Sequence, residues 1–291
     1  MKNKKVLLVG GGGYIGTALS SACGAQGAQV LATRRSAADD CVVLDFSKEE
    51  TYANVLSEKY DLVIVLASAI NGLNSIALTN DIFRENVSDY ARFLQAMVEA
   101  KTTEKIVYFS SMTVYDGHGG SSSEEVATNP IHAYGLSKAM AEELTRFACY
   151  NNALKGMVLR IPGVYGGARK GGLIYNIALK AKSGEKIQLN TKGLGYWETV
   201  LLDDLTAMIM EVLEKHSWTS ACEVYNLGYG AATDVIDTAK YIVNYFSSAS
   251  ELMIDGKNYN DFFLDTTKFR RLSAQQFSFK NSLDSYLASL R

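Results

Sequence analysis

Proline is almost missing from this chain: only Pro130 and Pro162 occur in 291 residues, where ordinary usage of ~5% would give about fifteen. Both stand beside positions that carry chemistry below. Long hydrophobic runs are missing too. The longest strongly apolar run, LVIVLASAI from Leu62 to Ile70, falls far short of the ~18 residues of a membrane span. The opening MKNKK leads directly into a short apolar stretch, with no h-region or cleavage site, so a cytoplasmic location is expected by default. The four cysteines (Cys23, Cys41, Cys149, Cys222) form no CxxC pair and have no histidine at ligand spacing. They are expected to be buried free thiols, with no metal site. A net charge of −2 gives no electrostatic ground for nucleic acid or an anionic membrane as partner. A small molecule is the expected ligand.

What is present is an ordinary globular composition, 47% apolar and 21% charged, in a chain long enough for one large domain or one and a half. Short β-branched runs at 5–9, 29–33, 41–46, 62–68, 105–111 and 156–161 are near-continuously apolar, as strands covered on both faces are. Helical patterns lie between them, such as VSDYARFLQAMVEA with Val87, Tyr90, Phe93, Leu94, Met97 and Val98 on one stripe. Alternation of this kind predicts an α/β fold with a doubly wound parallel sheet. After Pro162 the pattern loosens into helix-like, strand-like and again helix-like segments. The expected organisation is a Rossmann-type unit over 1–162 with returns near 197–228, and a smaller substrate lobe over 163–291, interleaved with it.

Gly10, Gly13 and Gly16 form GxxGxxG directly after the first strand and before a helix. There the first glycine allows the tight turn, the second lets backbone N–H groups approach a pyrophosphate, and the third lets helix and strand pack closely. Tyr14 and Ile15, inside the motif, are expected at the same dinucleotide. The second strand ends in Arg34 and Arg35, where an NAD enzyme usually offers a carboxylate to the adenosine ribose. Guanidinium groups bind a 2′-phosphate with directed bonds, which favours NADP over NAD. Asp45 and Phe46, closing the third strand, are placed beside the adenine.

HAYGLSK puts Tyr134 and Lys138 at i and i+4, on one helical face. A tyrosine has a pKa of about 10. A neighbouring ammonium and an oxidised nicotinamide would favour its phenolate, and a lowering of ~3 units corresponds to roughly 4 kcal/mol. Tyr134 then serves as general acid and base. KIVYFSSMTVY is a strand ending in Ser110 and Ser111 at the carboxyl edge of the sheet, where such folds bind ligands. Ser111 is positioned to hydrogen-bond the oxygen that Tyr134 protonates.

GGGGYIG, VLAS, SSMTVY, YGLSK, LRIPGVYG, VLLDDL and YNLG, in register from about residue 5 to 230, resemble the extended short-chain dehydrogenase/reductase family, in its nucleotide-sugar epimerase/dehydratase/reductase branch. The resemblance implies Ser111, Tyr134 and Lys138 as the catalytic triad, with Lys138 also on the nicotinamide ribose. It implies Ala67 and Ser68 along the cofactor cleft, Pro162 to Val164 at the nicotinamide end, and Asn86 as a buried polar residue opening the helix before the fifth strand. It also implies a homodimer through the catalytic helix and the helix before that strand.

Departures narrow the chemistry. Met112 and Thr113 stand where 4,6-dehydratases carry an Asp-Glu pair, so water elimination is disfavoured, and both residues are expected at the substrate. No cysteine accompanies Ser111 as an epimerising base for C3/C5. Gly163 replaces the asparagine that often touches the substrate pyrophosphate. Trp197 and Glu198 are expected to face the substrate, Asp203 and Asp204 to cap a helix, and the loop DGHGGSSSEE around His118 to form a mobile rim. Two enzyme readings remain: an NADP-dependent reductase of a 4-keto-6-deoxy nucleotide sugar, and an NAD-dependent nucleotide-sugar 4-epimerase. A cofactor-sensing regulator on the same fold is a third, disfavoured by the retained Tyr134 and Lys138.

Overall fold

The computed structural model describes residues 1–37, 40–70, 75–78, 81–190, 195–255 and 260–291, and not the side chains of 190, 195–197, 260 and 261. A seven-stranded parallel sheet forms its centre, in the spatial order Cys222–Asn226, Lys155–Ile161, Lys105–Ser111, Leu62–Val65, Lys5–Val9, Gln29–Arg34, Val42–Val43. Chain order reverses on either side of Lys5–Val9, which pairs with Gln29–Arg34 on one flank and Leu62–Val65 on the other. A crevice opens at the carboxyl ends of strands where order reverses. The glycine turn sits there.

The continuous apolar runs become strands because both faces are covered. One face holds Val6, Leu8, Val107, Phe109, Met157 and Leu159 against the helices Tyr14–Ala25 and Leu202–Lys215. The other holds Leu7, Val63, Ile106 and Tyr108 against Tyr90–Glu99 and Ala133–Asn151. Tyr90, Phe93, Leu94 and Met97 are the buried stripe of Tyr90–Glu99, each contributing about 1.5–3 kcal/mol of burial. A turn of π-helix, Arg84–Asp89, precedes it and carries the buried Asn86. A separate core joins Leu173–Ser183, Val235–Tyr245 and Phe279–Ser289 through Ile177, Ile242, Leu283 and Leu287.

Several expectations are corrected. The third strand is only Val42–Val43, and Asp45 and Phe46 lie past its end. Cys41 and Cys222 are half-buried, while Cys23 and Cys149 are buried as expected. Sequence scatter also hides a pairing: a Cβ on Gly156 would lie 2.5 Å from Cys149 Sγ and 2.9 Å from Cys222 Sγ. Gly156 is a glycine in a central strand because two sulfurs fill its side-chain space. The loop around His118 is no free rim, since Gly120–Ser122 pairs in parallel with Phe262–Leu264 and Glu124 accepts the Asn226 N–H at 2.8 Å. Among the described residues no helix is long and apolar enough to cross a membrane.

Candidate active site

The glycine turn uses all four of its glycines. Gly10 adopts φ +82°, and a Cβ on it would lie 2.8 Å from the Ala67 nitrogen; on Gly16 it would lie 2.5 Å from the Gly10 carbonyl oxygen. Sequence spacing explains those two and leaves Gly11 and Gly12 unexplained. Their reason is the neighbouring strand: a Cβ on Gly11 would lie 2.7 Å from Ala32 Cβ, and on Gly12 2.3 Å from Arg34 Cγ. Arg34 lies directly over the turn. Gly13 is the N-cap of Tyr14–Ala25 and offers no side-chain cap, so first-turn N–H groups stay open to an anion. That cradle fits a dinucleotide pyrophosphate. Tyr14 and Ile15 contribute backbone there; the Tyr14 hydroxyl donates to the Gly166 carbonyl at 2.8 Å, and the Ile15 side chain packs into the core.

A cleft of about 340 Å3 runs from this turn past Arg34, Arg35, Asp45 and Phe46 to Ala67, Ser68, Glu85 and Asn86. A larger open groove of about 620 Å3, between Tyr14–Ala25 and Leu202–Lys215, reaches none of the candidate catalytic hydroxyls. In the cleft the two arginines differ. Arg35 Nη1 donates to Glu85 Oε2 at 2.8 Å, and its Nε is 3.6 Å from Asp45 Oδ2. Burial raises the Asp45 pKa, but hydrogen bonds from the Ser47 hydroxyl and N–H and the Arg35 charge outweigh it and hold the carboxyl below its usual value. Glu85 was not anticipated from sequence, because its proximity to Arg35 is a contact across 50 residues.

Ser111, Tyr134 and Lys138 are brought together. Ser111 ends Lys105–Ser111 and Lys138 and Tyr134 lie in the first turns of Ala133–Asn151. The Ser111 and Ser68 hydroxyls lie close enough to the Tyr134 hydroxyl to act on its titration. Ser111 Oγ also accepts from the Thr113 hydroxyl at 3.0 Å and the Thr113 N–H at 3.2 Å. Ile161 pairs with Ser111 across the sheet, so the buried Pro162 and the half-buried Val164 follow at the same edge.

Three ties hold the helix in place. Asn86 accepts from the Ala69 N–H at 2.7 Å and donates to Ser137 Oγ at 3.0 Å, linking the Ser68 loop to the helix one residue before Lys138. Asp116 accepts from the Ile131 N–H and pairs with His132 Nδ1, both at 2.7 Å, fixing the segment after Pro130. Gly135 permits the closest contact, since a Cβ there would lie 2.4 Å from the Thr113 carbonyl oxygen.

The chain's own electrostatics do not by themselves favour the phenolate. Burial raises the Tyr134 pKa, with the Ser111 and Ser68 hydroxyls opposing it, so the chain alone does not supply a lowered phenol. Lys138 is itself the perturbed cation: burial pushes it down to about 7, opposed by Glu142. Its ammonium stacks 4.3 Å from the centre of the Tyr108 ring. Glu142, one turn on, forms a buried forked pair with Arg160, with Nε to Oε1 at 3.0 Å and Nη2 to Oε2 at 2.6 Å. Arg160 Nη1 also donates to the Tyr115 hydroxyl.

Other expected substrate contacts are corrected. The Met112 side chain is buried with Val114, Tyr115, Ala139 and Leu264, so it backs Ser111 and does not face a ligand. Glu198 is fully buried and accepts the Gly230 and Leu264 N–H groups, each at 2.9 Å. Burial raises its pKa to about 7 against those bonds, and it ties loops together. The expected Trp197 side-chain contact lies outside the described residues. Asp203 and Asp204 sit in the first turn of Leu202–Lys215 without a capping bond; Asp204 accepts from the Tyr229 hydroxyl at 2.7 Å and from Ser282.

Comparison with known proteins identifies the family. The dTDP-6-deoxy-L-talose 4-dehydrogenase (NAD(P)(+)) of Kitasatospora kifunensis is 29% identical over 257 residues, covering 82% of this chain and 77% of that protein. The UDP-glucose 4-epimerase of Lactobacillus helveticus is 27% identical over 270 residues, covering 82% and 81%. The structure of MoeE5 in complex with UDP-glucose and NAD superposes with a TM-score of 0.82 at 21% identity, covering 99% of this chain and 100% of that one; at that identity it shows the shared fold. The profile of the NAD dependent epimerase/dehydratase family matches residues 6–228, which take in the glycine turn, Ser111, Tyr134, Lys138 and Pro162. This chain belongs to that family and is an NAD(P)-dependent enzyme of the extended short-chain dehydrogenase/reductase type.

Proposed function

We propose that this chain is an NADP-dependent reductase of a 4-keto-6-deoxy nucleotide sugar. The observation that carries the reading is Arg34: it lies over Gly12 in the cofactor cleft and makes no ion pair among the described residues, so a guanidinium is available to a 2′-phosphate. The relative from Kitasatospora kifunensis, named for a 6-deoxy sugar 4-dehydrogenase using NAD(P)(+), supports it, since the reverse of that reaction is a 4-keto reduction. The reduced nicotinamide supplies the hydride. Tyr134 donates the proton to the carbonyl oxygen, Ser111 hydrogen-bonds that oxygen as its charge develops, and Lys138 contributes positive charge beneath the pair. With Met112 buried and Thr113 bonded to Ser111, neither position supplies the acid–base pair that elimination needs. Residues 1–162 with the returns near 197–228 form the cofactor unit in this reading, and 163–291 the substrate lobe.

A second reading, the NAD-dependent 4-epimerase, is favoured by Arg35, whose guanidinium is already held by Glu85 and Asp45. UDP-glucose 4-epimerases stand among the relatives. The deciding measurement is nicotinamide absorbance when the protein is mixed with 4-keto-6-deoxy nucleotide sugars and either NADPH or NADH. Rapid loss with NADPH alone is the expected result. No loss with either cofactor, together with NAD carried through purification, refutes the reductase and leaves the epimerase.

The outer face of Ala133–Asn151 exposes Met140, Phe147 and Tyr150 by 42%, 69% and 63%. Three large apolar side chains on one helical face are what a second copy would cover, and we assign this face to a homodimer.

A further inference from the structure

We propose that Glu85 sets the cofactor preference of this chain by competing with the 2′-phosphate of NADP for Arg35. The proposal rests on the reading of the glycine-turn cleft as the cofactor site. Adjacent arginines there are in different states. Arg34 is exposed and makes no ion pair among the described residues. Arg35 is 58% exposed and is gripped from two sides, by Glu85 at 2.8 Å and Asp45 at 3.6 Å. Neither carboxylate is loose. Asp45 Oδ1 accepts from the Ser47 N–H at 3.0 Å and hydroxyl at 2.8 Å. Glu85 is 18% exposed, lies in the π-helical turn beside the pinned Asn86, and has its other oxygen 3.8 Å from Arg84 Nη2.

Arg34 and Arg35 therefore meet Asp45 and Glu85 at one end of the cleft, with a third carboxylate, Asp89, also in its wall and paired with Arg92. An incoming 2′-phosphate meets Arg34 directly, but must take Arg35 from Glu85 or sit beside two carboxylates. A 2′-hydroxyl meets no repulsion and can donate to either carboxylate. Glu85 thus weakens NADP selectively and leaves NAD binding nearly untouched, so the preference for NADP is graded. Because the pair is partly solvated and screened, its removal is worth about tenfold in affinity, or about 1.4 kcal/mol.

The test is binding, with no sugar present: NADPH and NADH are titrated by nicotinamide fluorescence into the wild type, Glu85→Gln, Arg35→Leu and the double variant. Glu85→Gln is expected to tighten NADPH about tenfold and NADH less than about twofold, and the double variant to lose the gain. An unchanged NADPH-to-NADH ratio in Glu85→Gln, or a gain that persists without Arg35, overturns the proposal. Arg34→Leu and Arg35→Leu in the wild-type background give a check that does not need the Glu85 variant to fold. Arg34→Leu is expected to lose more NADPH affinity than Arg35→Leu, and the opposite order refutes the competition. A wild type that binds neither cofactor refutes the cofactor-site reading itself, which is a separate failure.

Discussion

Replacing Glu142 with glutamine leaves Arg160 buried without its counter-charge. The two side chains are 1% and 4% exposed and meet through a fork of hydrogen bonds between 2.6 and 3.2 Å. With charge centres about 4 Å apart and an effective dielectric of about 20, their attraction is about 4 kcal/mol. Breaking such a pair from one side costs about 3–5 kcal/mol, because the remaining ion stays desolvated. Glutamine keeps the shape and one acceptor, which places the expected loss near the lower end, about 3 kcal/mol. In urea, with a slope of about 3 kcal/mol/M, the unfolding midpoint falls by about 1 M. Glu142→Leu combined with Arg160→Met is expected to recover most of the loss, since the pair is then replaced by apolar bulk. A single-variant loss under about 1 kcal/mol, or a double variant as unstable as the single, refutes the electrostatic account. The same substitution removes the charge that opposes burial at Lys138, so the pH above which Lys138 is neutral moves below about 7 and the basic limb of the kcat/KM profile moves down with it.

Three further outcomes follow from single contacts. Gly135→Ala drives a Cβ to 2.4 Å from the Thr113 carbonyl and 3.0 Å from Pro130 Cβ; the helix must shift, and kcat is expected to fall about 100-fold with cofactor affinity kept. Lys138 holds its pKa near 7 in the folded chain against an ordinary 10.5, so between these values the unfolded chain binds a proton that the folded chain does not. Stability from this group therefore rises with pH across that window by up to about 1.4 kcal/mol per unit and is flat below it, and Lys138→Met removes that slope in urea unfolding at pH 7, 8 and 9. Phe147→Glu places a charge on the exposed apolar face of Ala133–Asn151 and is expected to give a monomer by light scattering, where a dimer is expected of the wild type; equal masses refute the assigned interface.

The sequence by itself determined the parts of this protein that depend on local pattern. Continuous apolar runs between amphipathic stripes dictate a parallel sheet covered on both faces, and Gly10, Gly13 and Gly16 mark the turn where a dinucleotide approaches. YxxxK on one helical face and SSMTVY at a strand end mark Tyr134, Lys138 and Ser111 as the candidate groups. Only the tertiary structure decided what those groups feel. Desolvation depends on everything packed around a group, and no spacing in the chain reports it; hence in the chain alone Lys138 falls to about 7 and Tyr134 rises. Contacts across the sheet are equally silent in sequence. Glu85 on Arg35, Arg160 on Glu142, Cys149 beside Cys222, and Arg34 over Gly12 each join segments that become neighbours only when the strands take their order. Met112 and Glu198 were readable as residue types at plausible positions, yet burial turned both inward, because side-chain direction at the sheet edge is set by the turns and loops packed behind it.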